Sequence, residues 1–112
     1  MKTRNGKNRM RDLYANDISS MVLGTGTTTP SEGDTAVEGE DASTSATPTI
    51  TKGEKVVRAK HILYSTVSAG TDYNKIGIKV NDDSVVDDTV IFPTYSHTAN
   101  SELHTTMTTR WK

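Results

Sequence analysis

The chain reads as a mainly β protein: a small antiparallel β-sandwich with one short N-terminal helix and a long Gly/Thr-rich loop. Three observations predict this class. Alternation of apolar and polar residues with period two recurs along the second half of the chain. Turn-forming residues separate those runs at short intervals, as sandwich strands require. A single stripe of helical period stands at the N-terminus, ahead of all the strands.

The helix comes first. Between Asn5 and Asn16, residues Met10, Leu13 and Tyr14 fall at i, i+3 and i+4 and make one narrow stripe. Asn5 is the expected N-cap and Asn16-Asp17 the expected stop. So short a helix is marginal alone and must pack on something. Ile18 to Leu23 then reads as the first strand, feeding an ordered, turn-rich surface loop from Leu23 to Glu40. Gly24, Gly26 and Gly33 can take positive φ there, Pro30 fixes its own φ, and Ser31 and Asp34 can bond nearby backbone N–H groups. Thr44 to Ile50 is read as loop, with a short strand at Thr49–Thr51 and Pro48 tolerated at its rim.

Lys55 to Val67 is one longer strand or a bent pair, with Val57, Ala59, Leu63 and Val67 looking inward and Gly70 breaking it. In Tyr73 to Val80, Ile76, Ile78 and Val80 share one face while Lys75 and Lys79 share the other. Val86, Asp88, Val90 and Phe92 alternate with Asp87, Thr89 and Ile91 up to Pro93. Asn81-Asp82-Asp83 between these two runs predicts a hairpin. The clearest alternation is C-terminal. Leu103, Thr105, Met107, Thr109 and Trp111 point one way; Glu102, His104, Thr106, Thr108, Arg110 and Lys112 point the other. That is a half-buried antiparallel strand, in which β-branched threonine packs well. Leu103, Met107 and Trp111 are its candidate core anchors. The expected organisation is a basic N-terminal helix at 1–16 and one β-sandwich domain at 17–112, loop-rich over 24–53.

Composition bounds the function. Only 32% of the residues are hydrophobic and 5% aromatic, so the core must be thin, and part of the stability is expected to come from neighbouring subunits. Net charge is −1, which gives no general reason to expect nucleic-acid binding. The absence of cysteine excludes disulfides and thiolate metal sites. No apolar run approaches the roughly 18 residues of a membrane span, and no apolar core follows the basic N-terminus as a secretory signal requires. Charge is nevertheless uneven: Lys2, Arg4, Lys7, Arg9 and Arg11 crowd the start of the chain, against Asp12 alone. Such a run is a solvated helix face, or it docks onto an acidic neighbouring subunit through Arg4, Lys7, Arg9 and Arg11. Nucleic-acid contact is the least favoured use, since Tyr14 is the only aromatic available for stacking.

Groups able to carry chemistry are few. Gly24-Thr-Gly26 lacks the following lysine and the helix of a phosphate loop. His61, His97 and His104 lack metal-ligand spacing and read as surface or hydrogen-bonded histidines. Asp82, Asp83, Asp87 and Asp88 lack the alternating ligands and central glycine of a calcium loop. No nucleophile elbow occurs among the many serines. No enzyme and no cofactor are expected. Tyr64, Tyr73, Tyr95 and Trp111 are the only aromatics a carbohydrate-binding face could use.

The word order Gly6-Lys-Asn-Arg-Met-Arg-Asp-Leu13, Met21 to Glu40 with its Gly-Thr-Gly-Thr-Thr-Thr-Pro-Ser start, and Ile76-Gly-Ile78 resembles a family of small structural proteins of tailed bacteriophages and archaeal tailed viruses. The departure is Ala42 to Ile50, where a Ser/Thr/Ala-rich run replaces the family's aliphatic strand. The resemblance implies a non-enzymatic virion component that assembles with itself and with other virion proteins on the tail, baseplate or fibre-attachment region. The alternatives are a capsid-decoration or neck protein, or a carbohydrate- or surface-binding β-module that meets a host-surface glycan.

Overall fold

The computed structural model describes residues 1–112. Helix α1, Arg4–Asp17, is followed by strands β1 (Ile18–Gly24), β2 (Thr49–Gly53), β3 (Val56–Leu63), β4 (Asp72–Val80), β5 (Val85–Ser96) and β6 (Leu103–Arg110), with a single 3-10 turn at Ala42–Thr44. The strands form two three-stranded sheets, all neighbours antiparallel, in the orders β1-β4-β5 and β2-β3-β6. The inner faces meet in one core of Met21, Leu23, Ala59, Leu63, Tyr73, Ile76, Ile78, Val80 and Met107. This is a small β-sandwich, the mainly β class the alternation predicts.

The helix departs from its expected bounds. Its N-cap is Thr3, whose hydroxyl accepts from Gly6 N at 3.0 Å, and it runs through Asp17 before Ile18 turns the chain into β1. Leu13 lies outside the packed stripe and is exposed; Tyr14 and Ala15 turn inward instead. The helix covers one end of the sandwich. Tyr14 packs against the core, meets Trp111 edge-on at 5.8 Å, and donates its hydroxyl to Asp87 at 2.8 Å. Asn8 Oδ1 accepts from Lys55 N, and Arg11 Nη1 donates to Gly53 O, both at 2.9 Å. Burial, then the bond to Asp87, pushes the Tyr14 hydroxyl pKa upward.

Strand β3 keeps the expected inward set, with Val57, Ala59 and Leu63 buried, and ends at Leu63, so Val67 reaches the core only from the following turn. His61 falls on the same inward face and is buried. Strand β5 keeps the expected Asp88, Val90 and Phe92 on its inner side, but burial along it does not alternate. Its half-buried residues are Val86, Thr89, Phe92 and Tyr95, a spacing of three. The cause is two shifts of register against β4, between Ile78 and Lys79 and between Tyr73 and Lys75. Strand β6 alternates regularly: Met107 is buried, Leu103 packs on the core rim, and the even positions are exposed. Trp111 is not a core anchor. It lies beyond the strand end, half-buried against Tyr14, with its backbone N–H donating to Lys55 O at 2.9 Å.

The stretch 24–53 is less loop-like than expected, since it contains the 3-10 turn and the five residues of β2. Residues 25–41 fold back over the outer face of the β1-β4-β5 sheet. Val37 is buried there, and a Cβ on Gly77 of β4 would come within 2.3 Å of its Cγ2. The neck of the excursion is tied by Thr25 N donating to Gly39 O at 3.2 Å. Gly39 has φ +62°, and a side chain there would strike Thr25, so glycine is required twice over.

Candidate functional site

The folded-back loop supplies the partner of the molecule's one buried lysine, from a half-exposed glutamate. Lys75 and Lys79 share the outer face of β4, as the alternation predicts, but the loop roofs them. Only 3% of the Lys75 side chain remains accessible, and its Nζ donates to Thr28 O at 3.0 Å and to Glu38 Oε1 at 3.2 Å. Glu38 in turn accepts from the Thr28 hydroxyl at 2.6 Å and the Thr28 N–H at 3.2 Å, and these bonds, with Lys75, hold its carboxyl below the usual range. Lys79 bridges Glu40 at 2.8 Å. Both lysines are thus bonded to the loop, and the arrangement fastens it to the sheet.

A second polar knot holds the turn at 41–46. Asp41 accepts from the Ser43 hydroxyl and the Tyr73 hydroxyl, both at 2.6 Å, and these bonds lower its pKa to about 2. The same turn closes one side of the sandwich. Along the outer edge of β1, Met21 N donates to Ala46 O at 2.9 Å, Ala46 N to Met21 O at 3.1 Å, and Asp41 N to Leu23 O at 2.9 Å. The chain then crosses directly from this edge into β2, whose far end is held by Arg11 of the helix. The β1 edge is therefore closed by the chain's own turn, while the five-residue outer edge of β2 has no strand partner and is met by Arg11 at Gly53.

The opposite side is open. Strands β5 and β6 are the free edges of the two sheets and stand one above the other. Between them runs a groove of about 400 Å³ lined by Ile76, Val90, Phe92, Leu103 and Met107, with Asp88 at its side. Val90 and Ile91 of β5 are exposed at 42% and 37%. The two edges differ in kind. Strand β5 carries Pro93, two register shifts and the groove-facing Asp88, all features that discourage strand addition. Strand β6 carries none of them. It pairs with β3 without interruption from Leu103 to Arg110, so its other backbone edge is straight, eight residues long and unpartnered.

Charge is segregated on the same architecture. The helix with β2, β3 and β6 (residues 1–17, 49–63 and 103–112) holds eleven of the thirteen Lys and Arg but only three carboxylates, net +8. The remainder holds two lysines and eleven carboxylates, net −9. Arg58 and Lys60 on the outer face of β3 stand beside Thr108 and Thr106 of β6, and no acidic residue lies within these three strands.

The sequence-derived candidates are placed as follows. Arg4 bridges Glu54 at 2.7 Å on the surface, and Arg11, mostly buried, serves Gly53 and Asp12. Lys7 and Arg9 make no ion pair. The four basic residues therefore divide into two bonded within the chain and two left to solvent. His61 Nε2 donates to Thr44 O at 2.7 Å while its Nδ1, buried, has no partner; burial lowers its pKa and keeps the ring neutral. His97 is held between Tyr64 O at 3.0 Å and the Tyr95 hydroxyl at 3.1 Å, and His104 is exposed beside Glu102. Asp83 is bonded to Ser19 and Ser20, Asp87 to Tyr14. No three His, Asp or Glu side chains converge on a point that could hold a metal ion. Of the four aromatics, only Tyr64 is well exposed, at 55%; Tyr73 is fully buried. No helix is long and apolar enough to cross a membrane. The open edge was missed in the sequence because nothing in a strand's own residues tells whether it lies at the rim of its sheet.

No family model, no curated protein and no solved structure matches this chain.

Proposed function

We propose that the protein is a non-enzymatic structural subunit that assembles with copies of itself through its open β5/β6 side. The observation that carries this reading is the contrast between the two sides of the sandwich. On one side the turn covers β1 and leaves only the five-residue edge of β2, with Arg11 at its end; the other presents an unpartnered eight-residue strand edge beside an apolar groove. A regular, unguarded edge invites another strand, and the main-chain hydrogen bonds it offers supply affinity without any specialised side chain. The polar clusters are all consumed in fastening the fold, which agrees with a role in architecture.

The word-level resemblance to small virion proteins of tailed viruses supplies the setting for this reading: the tail, baseplate or fibre-attachment region of a particle, with other virion proteins as further partners. Sedimentation velocity of the purified chain at micromolar concentration tests the assembly, with a defined oligomer expected. A stable monomer at every concentration overturns it. Antibody labelling of particles in electron micrographs tests the setting, and label confined to unassembled protein rejects it.

A further inference from the structure

Resting on that assembly reading, we infer the partner and the register: β6 pairs antiparallel with β6 of a second copy, about a twofold axis through Thr106, to give one continuous six-stranded sheet. Three constraints lead to this single arrangement.

The first is the choice of edge. Strand β1 is bonded to the turn at Ala46, β2 is only five residues long with Arg11 at its end, and β5 is guarded by Pro93, by its register shifts and by Asp88, whereas β6 is uninterrupted over eight residues. The second is parity. In a twofold antiparallel pair, facing residues lie on the same side of the sheet, so a register that keeps Met107 and Leu103 on the inner face must match odd with odd and even with even. Slipping by one residue would turn the core face of one copy outward. The third is charge. Centring on Thr106 overlaps the whole strand and sets Glu102 of each copy opposite Arg110 of the other, both on the exposed face. Opposite charges at directly facing positions favour pairing. Centring on Thr105 instead faces Glu102 with Thr108 and leaves Arg110 overhanging. Centring on Met107 faces Glu102 with Lys112, beyond the strand end, but sets Arg110 against His104 instead of a carboxylate. Only the Thr106 register satisfies both charges. It also brings the two apolar grooves together across the axis, so that Val90 and Phe92 of both copies gain cover.

The chain has no cysteine, so a single introduced thiol reports on one position only. Facing residues in an antiparallel pair have Cα atoms about 4.5–5.5 Å apart, within the range a disulfide spans. Thr106→Cys, an exposed site, should therefore cross-link to a dimer under mild oxidation, whereas Thr51→Cys on the far strand of the sheet should not. Glu102→Arg alone and Arg110→Glu alone should each weaken dimerisation about three- to thirty-fold, and the double exchange should restore it. If the chain associates but Thr106→Cys fails to cross-link, or the double exchange does not rescue, the register is wrong while the assembly reading stands. If the chain is monomeric throughout, the assembly reading itself fails.

Discussion

Val37 is the only fully buried residue contributed by the long loop, and its seat on the sheet is a glycine of the central strand. This gives a size-exchange experiment with a defined sign. Gly77→Ala places a methyl group 2.3 Å from Val37 Cγ2, whereas its other neighbours, Asp88 O and Thr89 Cγ2, stand at an ordinary 3.4 Å. Overpacking of this kind costs about 1–3 kcal/mol. Alanine in a strand interior returns roughly 0.5–1 kcal/mol of backbone entropy relative to glycine, so a net loss of about 1–2 kcal/mol is expected. Val37→Ala removes two buried methyls, and at about 0.5–1.5 kcal/mol each it should cost about 1–3 kcal/mol. In the double variant the new methyl of residue 77 enters the space that Cγ2 vacated. The two losses should then fall short of additive by about 1–2 kcal/mol in the favourable direction. Urea denaturation gives the three stabilities, and native-state exchange of the Thr25 amide, bonded to Gly39 O, reports whether the loop loosens before the sandwich unfolds. Strict additivity would falsify the reasoning, because it would mean that Val37 and Gly77 do not share a seat.

Other outcomes follow from the same geometry. Met107→Asp places an unpaired carboxylate in the core and should abolish folding, at a cost of several kcal/mol, while His104→Ala on the exposed face of β6 should be nearly neutral by thermal melting. Arg11→Ala loses the bond to Gly53 O and should cost about 1–2 kcal/mol, whereas Arg9→Ala, exposed and unpaired, should cost nothing measurable. His61 has a folded-state pKa below its ordinary value of 6.5. The unfolded chain therefore binds a proton that the fold refuses, so stability is full above that pH and declines as pH falls through it; His61→Phe should flatten this part of the profile of denaturation midpoint against pH. Asp41, with its pKa lowered from 3.8 to about 2, adds a second loss between those two values.

The parts of the fold that were legible are those in which a residue's neighbours along the chain decide its environment. Strand β6 shows this directly: each threonine of Leu103–Arg110 takes the side its parity assigns. In β5 parity holds for Asp88, Val90 and Phe92 but not along the whole strand, because bulges shift the register twice and leave the half-buried residues three apart. Bulges leave no mark in residue type beyond Pro93. The helix is where its periodicity places it, and Tyr14 of its stripe packs on the core, but Leu13 is exposed while Asn8, Arg11 and Ala15 turn inward, because the helix is held by polar bonds to Gly53 and Lys55 as much as by apolar contact.

Lys75 illustrates the harder limit. Its alternation with Ile76 and Ile78 holds, yet alternation alone does not tell that the lysine face is covered, because the covering residues lie nearly forty positions earlier. One signal could have been used: Val37 is an isolated branched apolar residue in a loop of glycine, threonine and acids, followed at once by Glu38 and later by Glu40. An apolar plug flanked by carboxylates suits an outer face that carries two lysines beside a glycine. The free edge offers no such signal. The threonines of β6 would read identically at the centre of a sheet, and only the strand order β2-β3-β6 leaves the outer backbone edge of β6 unpartnered. What the sequence does record is the consequence of that position. Guards against strand addition are written into β5 as a proline and an inward aspartate, and they are absent from β6, where a second copy could supply the missing neighbour.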